Sequence, residues 1–182
     1  MSRILIVYGT TDGQAGKIAM TIGARLRTTG LGTDVFNAAH ATPEPRDYDA
    51  VVVAASVHAG GYQRAVSRWV RSHAAALNGM PTAFVSVCLG VLQHEPAVDR
   101  ELAAILDRFT AATGWRPSDT KIVAGALKYT QYHFIKRWLM KRIAGRAGGD
   151  TDTSRDYEYT DWNDLGAFVD RFAARAGIIA VA

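Results

Sequence analysis

Residues 3–15 read Arg3-Ile4-Leu5-Ile6-Val7-Tyr8-Gly9-Thr10-Thr11-Asp12-Gly13-Gln14-Ala15: an apolar run, a turn rich in glycine and hydroxyls, and the start of a segment whose Ala15, Ile18, Ala19, Ile22 and Leu26 fall on one helical stripe. An apolar run without polar alternation is what a parallel strand buried on both faces requires. Working outward, the same rhythm returns. Strand-like runs cover 4–8, 33–37, 50–55, 82–88 and 121–126, and helical spacing covers 13–28, 63–77, 96–113 and 161–176. In the second helical segment Val66, Trp69, Val70 and Leu77 share a face. Such alternation predicts an open α/β sheet wound with right-handed crossovers, with ligands at the carboxyl ends of its strands. No repeat or low-complexity tract divides the chain, so residues 1–182 are expected to form a single domain.

The 182 residues are 48% hydrophobic and 21% charged, which excludes global disorder and a polytopic membrane protein. The longest apolar stretch, 50–57, falls far short of the ~20 residues that span a bilayer. Cys88 is the only cysteine and Met1 leads directly into the first strand, so a reducing cytoplasm is expected. The formal net charge of +4 is unevenly spread. Residues 128–146 hold six cations and no carboxylate, whereas 150–164 hold six acids against Arg155 alone. Within the basic block Phe134, Ile135, Trp138, Leu139 and Ile143 stand at helical spacing, which predicts a basic amphipathic helix inserted across 128–149, after the fifth strand. Such a block marks a partner or membrane surface, or a solvated face. The acids that follow it, and the lack of a stacking platform, argue against nucleic acid.

The turn at 9–15 excludes two nucleotide-binding classes. Gly16-Lys17 is followed by Ile18 where a Walker loop needs Ser or Thr for magnesium, and glycines at 9, 13 and 16 do not make the dinucleotide fingerprint. A hydroxyl-rich turn feeding a helix N-terminus suits a single terminal phosphate; the alternative is a plain turn with Asp12 as helix cap.

The same turn resembles the phosphate loop of the flavodoxin family, approximately Thr-x-Thr-Gly-x-Thr, with Thr10, Gly13 and Gln14 in register and Asp12 and Ala15 departing from it. Further segments narrow the resemblance: 55–62 (Ala-Ser-Val-His-Ala-Gly-Gly-Tyr), 80–87, 124–129 (Ala-Gly-Ala-Leu-Lys-Tyr), 148–153 (Gly-Gly-Asp-Thr-Asp-Thr) and Tyr159-Thr160-Asp161-Trp162. In their order, and with the basic insert, they are similar to the menaquinone-dependent protoporphyrinogen IX dehydrogenases, a flavodoxin-like family of haem synthesis. The likeness runs over roughly residues 3–175, and residues 88–95 are shorter and less basic than that family leads one to expect. It implies a flavodoxin-like doubly wound sheet of five parallel strands, order 2-1-3-4-5.

It further implies FMN as cofactor, protoporphyrinogen as electron donor and a membrane quinone as acceptor. The phosphate would rest on Thr10, Thr11, Asp12, Gly13, Gln14 and Ala15, mainly through backbone N–H groups. One side of the flavin ring would meet Ser56, Val57, His58, Gly60, Gly61 and Tyr62, and the other Ser86, Val87, Cys88, Leu89 and Gly90. Tyr62 is the aromatic placed to stack on the ring, or else a core residue at a helix start. His58 is the candidate proton relay or substrate-carboxylate partner, since imidazole titrates near pH ~6.5, or else an exposed loop residue. Cys88 reads as a small hydrophobe. No metal is expected, because no Cys/His cluster has ligand spacing. Lys136, Arg137, Trp138, Lys141 and Arg142 would dock the chain peripherally on the inner face of the cell membrane. The alternatives are a cover for the sheet edge or a homodimer contact. A flavodoxin-type electron carrier, a small quinone reductase without porphyrinogen activity and an FMN-free scaffold remain alternative functions.

Overall fold

The computed structural model describes residues 2–93, 95–131, 145 and 150–178. Strands β1 (Arg3–Gly9), β2 (Gly32–Asn37), β3 (Ala50–Ser56), β4 (Thr82–Val87) and β5 (Asp119–Val123) form one parallel sheet in the order β2-β1-β3-β4-β5. Helices α1 (Gln14–Thr28), α2 (Arg64–Leu77), α3 (Pro96–Thr113) and α4 (Trp162–Arg175) cover it. Side chains alternate across β1. Ile4 and Ile6 pack with Ile18, Ile22, Leu165 and Phe172 of α1 and α4, whereas Leu5 and Val7 pack with Val66, Trp69 and Phe109 of α2 and α3. Both faces are therefore dry, and the apolar runs needed no polar alternation.

The chain leaves β1 toward β2 on one side and returns to β3 on the other. The crossovers after β1 and β3 thus diverge at the carboxyl ends of these strands and open a crevice between them.

The fifth strand differs from expectation. Its ladder with β4 runs from Asp119 to Val123, not over 121–126. Beyond Ala124-Gly125, a short β6 (Ala126–Leu127) pairs antiparallel with β7 (Tyr157–Glu158), a partner distant in sequence. Nor do the acids of 150–164 form an isolated patch. Asp156 accepts from the backbone N–H and hydroxyl of Thr130 and pairs with Lys128, Asp164 pairs with Lys121, and Asp161 caps α4 by accepting from the N–H groups of Asn163 and Asp164. The predicted basic helix, with Lys136, Arg137, Trp138, Lys141 and Arg142, lies outside the described residues; Lys128 to Gln131 lead toward it through a short 3-10 turn. No helix among the described residues is long and apolar enough to cross a membrane.

Candidate functional site

Three loops at the carboxyl end of the sheet line one cleft of about 240 Å³. The first brings Thr10, Asp12 and Gln14, the second Ser56, Val57, His58 and Ala59, and the third Val87, Cys88, Leu89 and Gly90; Gly125 and Ala126 close its side. The second and third loops are held together by the N–H of Val57 donating to the carbonyl of Val87 (2.9 Å), and the third is held to β5 by Cys88 N–H donating to Val123 (2.9 Å).

Gly13 is the N-cap of α1, at φ 88° and ψ −21°, and makes no side-chain cap bond. The cap position thus belongs to Gly13, not to Asp12. This left-handed residue turns the loop so that the first N–H groups of α1 meet the cleft end of the sheet, where the helix dipole contributes roughly half a positive charge. Gln14 is 5% exposed, and its side-chain Nε2 donates to Glu158 Oε1 (3.0 Å) and Thr160 Oγ1 (2.9 Å). Gln63, which the sequence did not single out, joins two loops by donating from Nε2 to Ser56 Oγ (2.7 Å) and Thr11 Oγ1 (3.1 Å).

In the second loop, His58 and Gly61 exchange backbone hydrogen bonds (2.8 and 3.1 Å) around Ala59 (φ 47°) and Gly60 (φ 74°). This two-residue turn of left-handed residues presents His58 and Ala59 at the cleft wall, with His58 exposed. Tyr62 is not brought into the cleft. Its ring stands edge-on to Phe84 (5.0 Å) and Phe109 (4.8 Å), and its hydroxyl shares a 2.8 Å hydrogen bond with Ser86 Oγ. Burial pushes the phenol pKa up. Ser86 lies two residues beyond Phe84 on the same face of β4, so it points into the α2–α3 core, while Val87 lines the cleft. Thr11, Gly13, Ala15, Gly60 and Gly61 are not among the residues that line the cleft; Ala15 is buried in the core, whereas Thr11, Gly13 and Gly60 are exposed.

Cys88 lines the cleft with its thiol pKa raised by burial, and Gly90 N–H donates to its sulfur (3.3 Å). Burial therefore disfavours the thiolate.

Two buried polar atoms of the first loop, Thr10 Oγ1 and Gln14 Oε1, have no hydrogen-bond partner among the described residues. Buried polar groups are rarely left so. A phosphate ester carried on a polyol fits both: phosphate oxygens accept from the Thr10 hydroxyl and the loop N–H groups, and a polyol hydroxyl donates to Gln14 Oε1. Flavin mononucleotide has this chemistry.

The fold, the switch-point cleft and this loop define a class. The flavodoxin domain family matches residues 5–154, and the chain belongs to it. Flavodoxins from Streptococcus pneumoniae TIGR4 (TM-score 0.57, 19% identity, 96% of this chain and 99% of that one) and Bacillus cereus (0.57, 12%, 94% and 97%) share the fold. More specifically, the chain is 36% identical over 173 residues to the protoporphyrinogen IX dehydrogenase (quinone) of Escherichia coli K12, covering 94% of each. It is 32% identical over 177 residues to the enzyme of that name from Leishmania major, covering 94% of this chain and 75% of that one.

The sequence missed Gln63, Glu158 and Thr160 as site residues. Gln63 had one signal, its place just before the helix that follows the second loop. Thr160 had only its place in the resembling segment 159–162 and Glu158 had none, because their partner Gln14 lies 146 and 144 positions away.

Proposed function

We propose that this protein is an FMN-dependent dehydrogenase that oxidises protoporphyrinogen IX to protoporphyrin IX and delivers the electrons to a membrane quinone. Carrying this reading is a single cleft built by the three loops after β1, β3 and β4, in a chain whose relatives named for that reaction align with it over most of its length. FMN, when bound, would supply the redox chemistry: passage of electrons from the porphyrinogen to quinone, two at a time over three turnovers. The residues of the chain do the rest. Thr10 and the N–H groups of 11–15 hold the phosphate, and Val57, Ala59, Val87 and Leu89 give the ring an apolar slot. His58, exposed at the slot's mouth, carries released protons to water. Cys88 adds a small side chain to the wall of the slot.

Both redox partners are apolar, and quinone resides in the bilayer. The basic insert, 128–149, docks the protein on anionic lipid through the charges of Lys136, Arg137, Lys141 and Arg142 and the apolar ring of Trp138. The chain works at the membrane surface as one flavodoxin-like domain, 1–182. The decisive experiment is anaerobic: protoporphyrinogen IX bleaches the yellow holoprotein, and a menaquinone analogue restores the colour. Holoprotein that dithionite bleaches but protoporphyrinogen IX does not would refute the substrate and leave an electron carrier or quinone reductase.

A further inference from the structure

The first turn of α1 is gripped from the side by a segment at the far end of the chain. Gln14 donates from Nε2 to both Glu158 Oε1 and Thr160 Oγ1, and Lys17, one turn later, donates to the other Glu158 oxygen (2.6 Å). The orientation of the Gln14 amide follows from chemistry. The Thr160 hydroxyl gives its own hydrogen to the carbonyl of Ala124 (2.7 Å), so it only accepts from Gln14, and an ionised Glu158 accepts alone. Glu158 is itself fixed in β7 opposite Ala126, and Tyr159 N–H donates to Gly125 (3.1 Å), next to the cleft wall. Lys17 also lies over the ring of Trp162, 5.1 Å from its centroid.

This grip has a use. The N-cap is a glycine without a side-chain bond, so no capping side chain fixes how the first turn of α1 is set toward the cleft. A 5%-exposed glutamine tied at two points, with its remaining oxygen unpartnered beside the cleft, supplies that orientation from outside. Glu158 would repel a phosphate if it stood alone, and the Lys17 ammonium against it removes most of that penalty.

We propose that Glu158 and Thr160 are positioning residues for the phosphate of the cofactor: acting through Gln14 and Lys17, β7 and the residues after it hold the first turn of α1 in its phosphate-binding geometry. The inference rests on the FMN reading and deepens it. It also means that the segment leading back from the basic insert, and not only the loop after β1, sets how tightly the cofactor is kept.

The test compares FMN with riboflavin, which has the same ring and polyol but no phosphate, by fluorescence quenching on the full-length apoprotein. Glu158→Ala and Thr160→Val should each weaken FMN about tenfold or more, the scale of one lost hydrogen bond to a binding group, and riboflavin, which meets Gln14 only through its polyol, by about threefold or less. Glu158→Gln keeps an acceptor for Gln14 and should recover most of the FMN affinity. Thr160→Val keeps the shape of the buried side chain and reads the second tie on Gln14 if Glu158→Ala folds poorly. Equal losses for FMN and riboflavin, or no loss of FMN in either variant, overturn the proposal. A wild type that binds riboflavin but gains nothing from the phosphate overturns it as well and leaves the flavin site standing, whereas a wild type that binds neither removes the FMN reading itself.

Discussion

Gly13 separates two reasons for a glycine in the loop proposed to bind phosphate, lack of room and backbone conformation. A Cβ built there meets nothing within 4 Å, so crowding in the protein itself carries no cost. Its φ of 88° does, because an L-residue in left-handed backbone costs roughly 1–2 kcal/mol, Asn tolerates it best and β-branched residues worst. Replacements at Gly13 should therefore rank by left-handed tolerance and not by size: Asn near wild type, Ala about 1 kcal/mol less stable and Val about 2 kcal/mol. In a domain of this length each kcal/mol moves Tm by about 2–4 °C, so Val should melt roughly 4–8 °C lower and Asn within about 2 °C of wild type. Any variant that escapes the strain by relaxing φ swings the loop N–H groups off the phosphate, so FMN affinity should follow the same order. Thermal melts of apoprotein and FMN titrations of the same samples measure both. Asn and Val variants with equal Tm and equal FMN affinity, or losses that scale with side-chain volume, would refute the conformational argument.

At Gly9 the limit is room: a Cβ would meet Val66 Cγ2 at 2.3 Å, so Gly9→Ala should cost about 1–3 kcal/mol, and adding Val66→Ala should leave the pair more stable than the sum of the two single losses, read from denaturant midpoints. Tyr62→Phe removes the hydrogen bond shared with Ser86 and should cost about 1 kcal/mol with FMN affinity unchanged; a large loss of FMN would mean the ring belongs to the cleft. Arg25 holds Asp170 through two hydrogen bonds (2.8 and 2.5 Å) and lowers its pKa, so the pair stabilises the fold above the ordinary carboxylate pKa and loses that contribution as pH falls through the depressed value. Both side chains are more than two-fifths exposed, so Asp170→Asn should cost under about 1 kcal/mol at neutral pH, with the Tm difference closing in acid. Changing Lys136, Arg137, Lys141 and Arg142 together to Gln should remove roughly 4 kcal/mol of attraction to anionic vesicles at low salt, with FMN content unchanged. Equal co-sedimentation of this variant and wild type would make the insert a sheet-edge cover or dimer contact.

Periodicity alone set the strands and helices to within a few residues, and the turn at 9–15 marked one wall of the cleft. These features depend on neighbours a few positions apart: alternation makes a strand, a stripe makes a helix, and a glycine permits the left-handed cap. Family resemblance supplied the strand order and pointed to the other two loops. Tertiary structure decided which side chains of those loops share the cleft. Ser86 faces away because β4 alternates and Phe84 already points into the α2–α3 core, and Tyr62 follows it to complete that aromatic cluster. The end of β5 at Val123 was decided by the antiparallel pairing of Ala126 and Leu127 with Tyr157 and Glu158, and the acids of 150–164 by partners such as Lys121, Thr130 and Lys17. Such contacts join Gln63 to Thr11 across 52 positions and Gln14 to Glu158 across 144, separations over which local propensity carries no information, so only the packed sheet could bring the groups together.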